Sequence, residues 1–118
     1  MTKPSRFILF VVVVVAFVLR VYGIGNDPPA LSWDEVSIGY NAYSILRTGA
    51  DEHGRMFPID AFKAYGDYKP PIPIYLTVPS VFLFGLSEFA VRVPVAIMGT
   101  LTVLLSYFFT GRYLTFLA

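Results

Sequence analysis

Two adjacent carboxylates, Asp34 and Glu35, are the residues of this 118-residue chain whose placement most clearly suggests chemistry. They directly follow Trp33 and come shortly after a long apolar stretch, residues 7–24. A carboxylate at a membrane boundary could deprotonate an acceptor hydroxyl that meets a lipid-borne substrate there. Both acids could instead occupy the first turn of a helix and only complement its dipole. Taken alone, the pair leaves both interpretations open.

Three cations are placed where they could hold a phosphate. Lys69, in the sequence GDYKPP, could act as a point charge for that group, and Arg20 and Arg92 each lie near the end of an apolar stretch. Charged residues that border membrane spans are often functional, but each could also be a side chain that only anchors its helix at the interface. If the three converge on one outer surface, they predict a seat for a polyprenyl phosphate or pyrophosphate.

Other chemical signals are weak. His53 is the only histidine, and its acidic neighbours Asp51 and Glu52 give a weak metal pattern, so participation of a divalent metal ion stays open. The absence of cysteine excludes disulfides and thiolate zinc sites. Neither a glycine-rich phosphate loop nor a nucleophile elbow is present. A net charge of +1 without a basic stripe argues against nucleic acid as a partner.

Composition predicts an all-α membrane protein. Hydrophobic residues make up 56% of the chain and charged residues only 14%, with a mean hydropathy of +0.65. Residues 7–24 are apolar except for Arg20 and would form a helix of about 27 Å, close to the hydrocarbon thickness. Residues 92–112 predict a second span. Between them, residues 25–70 carry seven of the eight acids and form a polar loop.

The flanking charges predict an orientation. Lys3 and Arg6 precede the first span, which favours a cytoplasmic N-terminus and an extracytoplasmic loop. Arg112 would then be cytoplasmic. A cleavable signal peptide is the alternative, but no small-x-small cleavage site follows the apolar run, which favours an uncleaved anchor. The prediction is an integral multi-pass protein of a bacterial-type inner membrane.

Local patterns predict helices at the interface. Ser32 and Glu35 have the spacing of a capping box, and Gly49 is placed to end that helix after Thr48. Residues 51–68 lack periodicity and predict an irregular loop. Residues 71–86 are apolar but short and contain three prolines, so they predict either a juxtamembrane helix or a short span. In the second case Arg92 would be cytoplasmic.

The order of several short motifs resembles a known family. PPALSWDE at 28–35 and GYNAYSILRTG at 39–49 are similar to the first-loop signature of bacterial relatives of the dolichyl-phosphate-mannose protein mannosyltransferases. GDYKPP at 66–71 and FGLSEFAVRVP at 84–94 follow in the same order. Aminoarabinose transferases that act on lipid A belong to the same type C membrane glycosyltransferase superfamily. The resemblance runs from about Arg20 to the end of the chain.

The resemblance implies an enzyme that transfers a sugar, with inversion, from a polyprenyl-phosphate donor to a protein or lipid acceptor on the extracytoplasmic side. It places Asp34 at the active site, with Glu35 assisting. It places Lys69 near the carrier phosphate and Arg92 at the opening of the second span. It also favours a juxtamembrane helix for residues 71–86. Arg20 and Tyr40 complete the predicted substrate-binding set.

Such enzymes have many more spans, so the resemblance implies that this chain is an N-terminal fragment and is inactive alone. A non-enzymatic membrane subunit or lipid-binding module is the alternative, with the loop as an interaction surface. A third alternative is a related polyprenyl-phosphate enzyme with another acceptor, such as a ligase of surface polysaccharide. A reading frame that continues into further hydrophobic spans would favour the enzyme.

Overall fold

The computed structural model describes residues 3–117, with side chains described for residues 6–111. The side chains of Lys3 and Arg112, which entered the orientation argument, lie outside this set. The described chain is mostly helical, as predicted, with one two-stranded antiparallel sheet. Its elements are α1 (Lys3–Val21), α2 (Trp33–Thr48), β1 (Phe62–Ala64), β2 (Asp67–Lys69), α3 (Pro71–Phe84) and α4 (Glu88–Leu117).

One helical segment among the described residues, Glu88–Gly111, is long and apolar enough to cross a membrane. It covers most of the predicted span at residues 92–112 but begins four residues earlier. Helix α1 covers the first predicted span only to Val21, and Gly23 beyond it has a left-handed φ of 70°. The multi-pass arrangement and its orientation stay predictions.

Helix α3 has 14 residues, which corresponds to a length of about 21 Å. A helix crossing the hydrocarbon core needs about 30 Å. Pro70 and Pro71 begin the helix, where a missing amide hydrogen costs nothing, and Gly85 follows its end. Its length favours the juxtamembrane alternative over a short span.

The chain forms two compact units, and the first combines residues 1–22 with 96–118. Its described side chains expose many large apolar groups. Phe7, Leu19 and Phe109 are each more than 60% exposed. In water these side chains would lose the stabilisation that burial gives, whereas lipid solvates them well. The surface of this unit is therefore suited to a membrane.

The second unit, residues 23–95, has a small core between α2 and α3. The core contains Ala42 and Ile45 from α2, Phe62 from β1, and Ile74 and Val81 from α3. Helix α2 contributes small and polar side chains to its buried face, including Ser37 and Asn41.

Val36, Tyr40 and Tyr43 lie on the opposite, exposed face of α2. A helix with apolar and tyrosine side chains on its outer face suits a membrane interface. The buried face is narrow enough for close packing: Gly39 lies against Val91 of α4.

The predicted caps of α2 are confirmed. Ser32 Oγ accepts a hydrogen bond from the Glu35 amide at 3.3 Å, and Glu35 Oε2 accepts one from the Ser32 amide at 2.8 Å. This reciprocal pair is a capping box. At the other end Gly49 adopts φ 73° and donates its amide to the carbonyl of Ile45. The caps fix where α2 begins, and therefore where Asp34 lies.

The prediction of an irregular loop over residues 51–68 is wrong at its C-terminal end. Phe62–Ala64 pairs with Asp67–Lys69 in a hairpin, and Tyr65 and Gly66 form its two-residue turn. Both turn residues have positive φ, 52° and 78°, as a type I′ turn requires. A strand of three residues is too short to be recognised from an alternation of apolar and polar side chains, and tyrosine is an uncommon first residue for this turn.

Candidate functional site

The candidate site lies in the second unit, where the first turn of α2 meets the hairpin and the beginning of α4. Asp34 and Glu35 occupy consecutive positions on that turn but pair with different cations. Asp34 contacts Lys69 of β2, and Glu35 contacts Arg92 of α4. The adjacent acids of the sequence therefore belong to two separate ionic clusters.

Arg92 is the most heavily bonded side chain of the site. Nε donates to Glu35 Oε1 at 2.8 Å, and Nη2 donates to Glu35 Oε2 at 3.3 Å and to the carbonyl of Ala30 at 2.9 Å. Nη1 donates to the carbonyls of Ile24 at 3.0 Å and Pro28 at 2.9 Å. A guanidinium has five N–H donors, and all five are used.

These bonds define what Arg92 does in the fold. It ties the segment before α2 to the start of α4, and its side chain is only 8% exposed. A phosphate could reach the guanidinium only if some of these bonds were broken. The structure therefore favours a positioning role for Arg92, and its predicted role in phosphate binding stays a prediction.

Glu35 is held in the ionised form by the same contacts. Its hydrogen bond with Arg92 lowers the pKa of the carboxyl group, partial burial raises it in part, and the Ser32 amide lowers it further. A carboxylate with both oxygens bonded is poorly suited to take up a proton. Glu35 therefore holds the turn through its contacts with Arg92 and Ser32. Its predicted assistance to Asp34 in catalysis stays a prediction.

The second cluster contains one ammonium group and two carboxylates. Lys69 Nζ lies 2.6 Å from Asp34 Oδ1 and 2.9 Å from Asp67 Oδ2. The side chain of Lys69 is 15% exposed, whereas those of Asp34 and Asp67 are 70% and 71% exposed. The lysine stem is thus covered by protein while the carboxylates face outward. This is an accessible site, in contrast to the Glu35–Arg92 pair.

The ion pairs reinforce the charges of this cluster. The hydrogen bonds that Lys69 donates to Asp34 and then to Asp67 raise the pKa of Lys69. The hydrogen bond from Lys69, followed by that from the Tyr68 amide, lowers the pKa of Asp67. Lys69 is therefore charged at any physiological pH and can hold an anion.

Two exposed aromatic rings adjoin the accessible cluster in sequence. Trp33 and Tyr65 meet edge to face, with ring centroids 5.0 Å apart and an interplanar angle of 89°. Trp33 is 75% exposed and Tyr65 60% exposed. Trp33 directly precedes Asp34, and Tyr65 lies in the turn that leads to Asp67. Large rings that remain exposed beside charged groups suit a membrane interface or a ligand ring.

The other two predicted binding residues, Tyr40 and Arg20, do not belong to either ionic cluster. Tyr40 is on α2 with about half of its surface exposed, and its binding role stays a prediction. Arg20 belongs to the first unit, where its guanidinium lies against Gly99 and donates to the carbonyl of Ala16 at 2.9 Å. Its predicted convergence with Lys69 stays a prediction.

Over residues 6–111, no group of three His, Cys, Asp or Glu side chains is arranged to hold a metal ion. His53 instead places Nε2 2.9 Å from the carbonyl of Lys63. Asp51 is largely buried, and its Oδ1 accepts the amides of His53 and Arg55, which organises the loop after α2. Whether a divalent metal takes part stays open.

Sequence reasoning singled out Asp34 and Lys69 but did not assign a role to Asp67. A signal was present, because residues two apart in a strand point to the same face, and Asp67 is two residues before Lys69. It required recognition of a three-residue strand.

No family model matches the chain, and no curated protein or solved structure was found to match it either.

Proposed function

We propose that this chain contributes the first-loop active site of a membrane glycosyltransferase that uses a polyprenyl-phosphate sugar donor. The observation that carries the proposal is the exposed pairing of Asp34 with Lys69, a carboxylate and an ammonium 2.6 Å apart. The order of motifs that resembles type C membrane glycosyltransferases supports the same assignment. The apolar helix Glu88–Gly111 supports a membrane location.

The pair has the two groups that the reaction needs. The acceptor hydroxyl attacks the anomeric carbon of the sugar, and its proton passes to Asp34 as the new C–O bond forms. The bond from that carbon to the carrier phosphate breaks, and the phosphate leaves with the electron pair. Lys69 stabilises the negative charge that grows on the phosphate. Because Asp34 is 70% exposed, an acceptor can approach it.

The Glu35–Arg92 pair supports the Lys69 cluster. Arg92 and Glu35 fix the first turn of α2, which sets the position of Asp34 one residue away. Reacting groups must be held within a fraction of an ångström for efficient transfer. In this proposal Asp34 and Lys69 take part in the reaction. Glu35 and Arg92 hold Asp34 in position.

A transfer assay tests this proposal. A membrane enzyme that contains this chain is supplied with defined polyprenyl-phosphate sugars, and transfer to protein and lipid acceptors is followed. We expect Asp34→Asn to lower turnover by about 100-fold or more, the scale of general base catalysis. Lys69→Gln should weaken both donor use and turnover, because the phosphate loses its counter-charge.

Asp60→Asn provides the matched control, because Asp60 is an exposed carboxylate of the same unit that pairs with Arg55. It should leave turnover near that of the wild type. Near-normal turnover in Asp34→Asn would remove Asp34 from the mechanism. No transfer from any polyprenyl-phosphate sugar, together with stable membrane insertion, would favour a non-enzymatic membrane subunit.

A further inference from the structure

The charge balance around Lys69 raises a question about how it could receive a phosphate. Asp34 and Asp67 supply two negative charges and Lys69 supplies one positive charge, so the cluster carries a net charge of −1 at neutral pH. A phosphate group brings further negative charge. With both carboxylates in place, repulsion would offset much of the attraction to the ammonium. Release of one carboxylate from the ammonium would remove part of this repulsion when a phosphate binds.

The two carboxylates differ in how firmly the fold holds them. Asp34 is on the first turn of α2, which the capping box and the Glu35–Arg92 pair fix in place. Asp67 is the first residue of β2, directly after the turn residue Gly66, and its side chain is 71% exposed. Its oxygens bond the Tyr68 amide at 2.7 Å and Lys69 Nζ at 2.9 Å, both within the same short strand. Rotation of the Asp67 side chain would leave the contacts of α2 intact.

We propose that Asp67 is a displaceable ligand of Lys69, whose carboxylate occupies the position on the ammonium that the phosphate of a lipid carrier takes when it binds. This inference rests on the proposed function for the role of Lys69. Displacement leaves Lys69 between Asp34 and the phosphate, so that the base and the leaving group share one cation. Asp67 thereby makes anion binding selective, because an anion must displace its carboxylate to reach Lys69.

The competition predicts which anions bind. A free inorganic phosphate has only its charge to set against Asp67, whereas a polyprenyl phosphate also gains free energy when its apolar chain leaves water. Exposed ion pairs contribute little, so removal of Asp67 should tighten phosphate binding by only about two- to fivefold. The relative gain should be the same for both phosphates, because the contribution of the chain is unchanged by the substitution, and it should shrink at high salt.

Direct binding measurements test this proposal on the chain in detergent micelles. Farnesyl phosphate is titrated as a short polyprenyl phosphate, inorganic phosphate as the free anion, and farnesol as the uncharged chain. The variants are Asp67→Asn, Lys69→Gln and the control Asp60→Asn. Asp60 is also an exposed carboxylate of this unit and pairs with Arg55 at 2.8 Å, but it does not contact Lys69 in the structure. Asparagine at 67 can still accept the Tyr68 amide.

We expect Asp67→Asn to bind both phosphates about two- to fivefold more tightly and farnesol unchanged, while Asp60→Asn behaves as the wild type. Unchanged or weaker phosphate binding by Asp67→Asn, with binding lost in Lys69→Gln, would overturn the inference and leave Lys69 as the phosphate ligand. Phosphate binding that survives Lys69→Gln would overturn the inference together with the proposed site. The two failures are thus distinguishable.

Discussion

Asp34 and Glu35 are neighbours in the chain with the same functional group, yet the fold gives them opposite surroundings. Glu35 meets Arg92, whose side chain is 8% exposed and whose five donors are all used. Asp34 meets Lys69 at a surface where its own side chain is 70% exposed. One pair is closed to further ligands and the other is open. Two adjacent acids at the start of a helix can therefore have different roles, one structural and one chemical.

The difference follows from the geometry of a helix. Successive residues are about 100° apart around the axis, so neighbours on one turn face different elements. The capping box turns Glu35 back toward Ser32 and the start of α4. Asp34 then faces the hairpin, where β2 presents Lys69. A single cap therefore assigns the two carboxylates to two partners.

The largest structural effect should come from Arg92→Lys. Lysine keeps the charge but cannot bond Glu35 and three carbonyls at once, so partly buried carbonyls of the segment before α2 lose their donors. We expect the melting temperature to fall by on the order of 5 °C or more, and transfer activity to fall with it. Thermal unfolding followed by circular dichroism measures this. Arg55→Lys is the control, since Arg55 forms an exposed pair with Asp60, and a matching fall there would contradict the closed role of Arg92.

A smaller effect should come from Gly39→Ala, which tests the packing behind the closed pair. A Cβ at this position would lie 2.7 Å from Val91 Cγ2, and Val91 is only 2% exposed. We expect a destabilisation of about 1–3 kcal/mol from overpacking, measured by denaturant unfolding. Gly25→Ala is the control, because its Cβ would meet Phe89 at an ordinary 3.6 Å. Equal stability of both variants would mean that α4 does not pack tightly on α2.

The smallest expected effect is a change in folding stability at acidic pH. Arg92 lowers the pKa of Glu35 in the folded state, so the pair stabilises the fold above the ordinary glutamate pKa of about 4.3. That contribution is lost as the pH falls through the lowered folded-state pKa. The stability difference between wild type and Glu35→Gln should therefore be constant near neutral pH and shrink below about pH 4. Unfolding curves recorded at several pH values measure it, and a difference that persists at the lowest pH would argue against the ion pair.

Much of the local structure could be predicted because short-range rules govern it. The Ser32–Glu35 spacing and Gly49 predicted both ends of α2, and the prolines and limited length of residues 71–86 predicted a juxtamembrane helix or a short span, where the structure has the 14-residue helix α3. The hairpin could not be predicted, since Tyr65 adopts a positive φ that its residue type does not favour.

The partners within the site were harder to predict than the elements. That Arg92 would bond three carbonyls more than sixty residues earlier depends on tertiary packing, which no local pattern encodes. The same packing separated Asp34 from Glu35. The sequence named the chemical groups of the site, whereas their division into an open and a closed pair required the fold.

The most direct test compares Asp34→Asn with Glu35→Gln in the membrane enzyme, with melting temperature and transfer per folded molecule measured on the same samples. We predict that Asp34→Asn melts as the wild type but transfers sugar about 100-fold or more slowly. Glu35→Gln should melt at a lower temperature and retain measurable transfer. The opposite pattern, with an active Asp34→Asn enzyme and a stable but inactive Glu35→Gln enzyme, would contradict the division between an open reacting pair and a closed positioning pair.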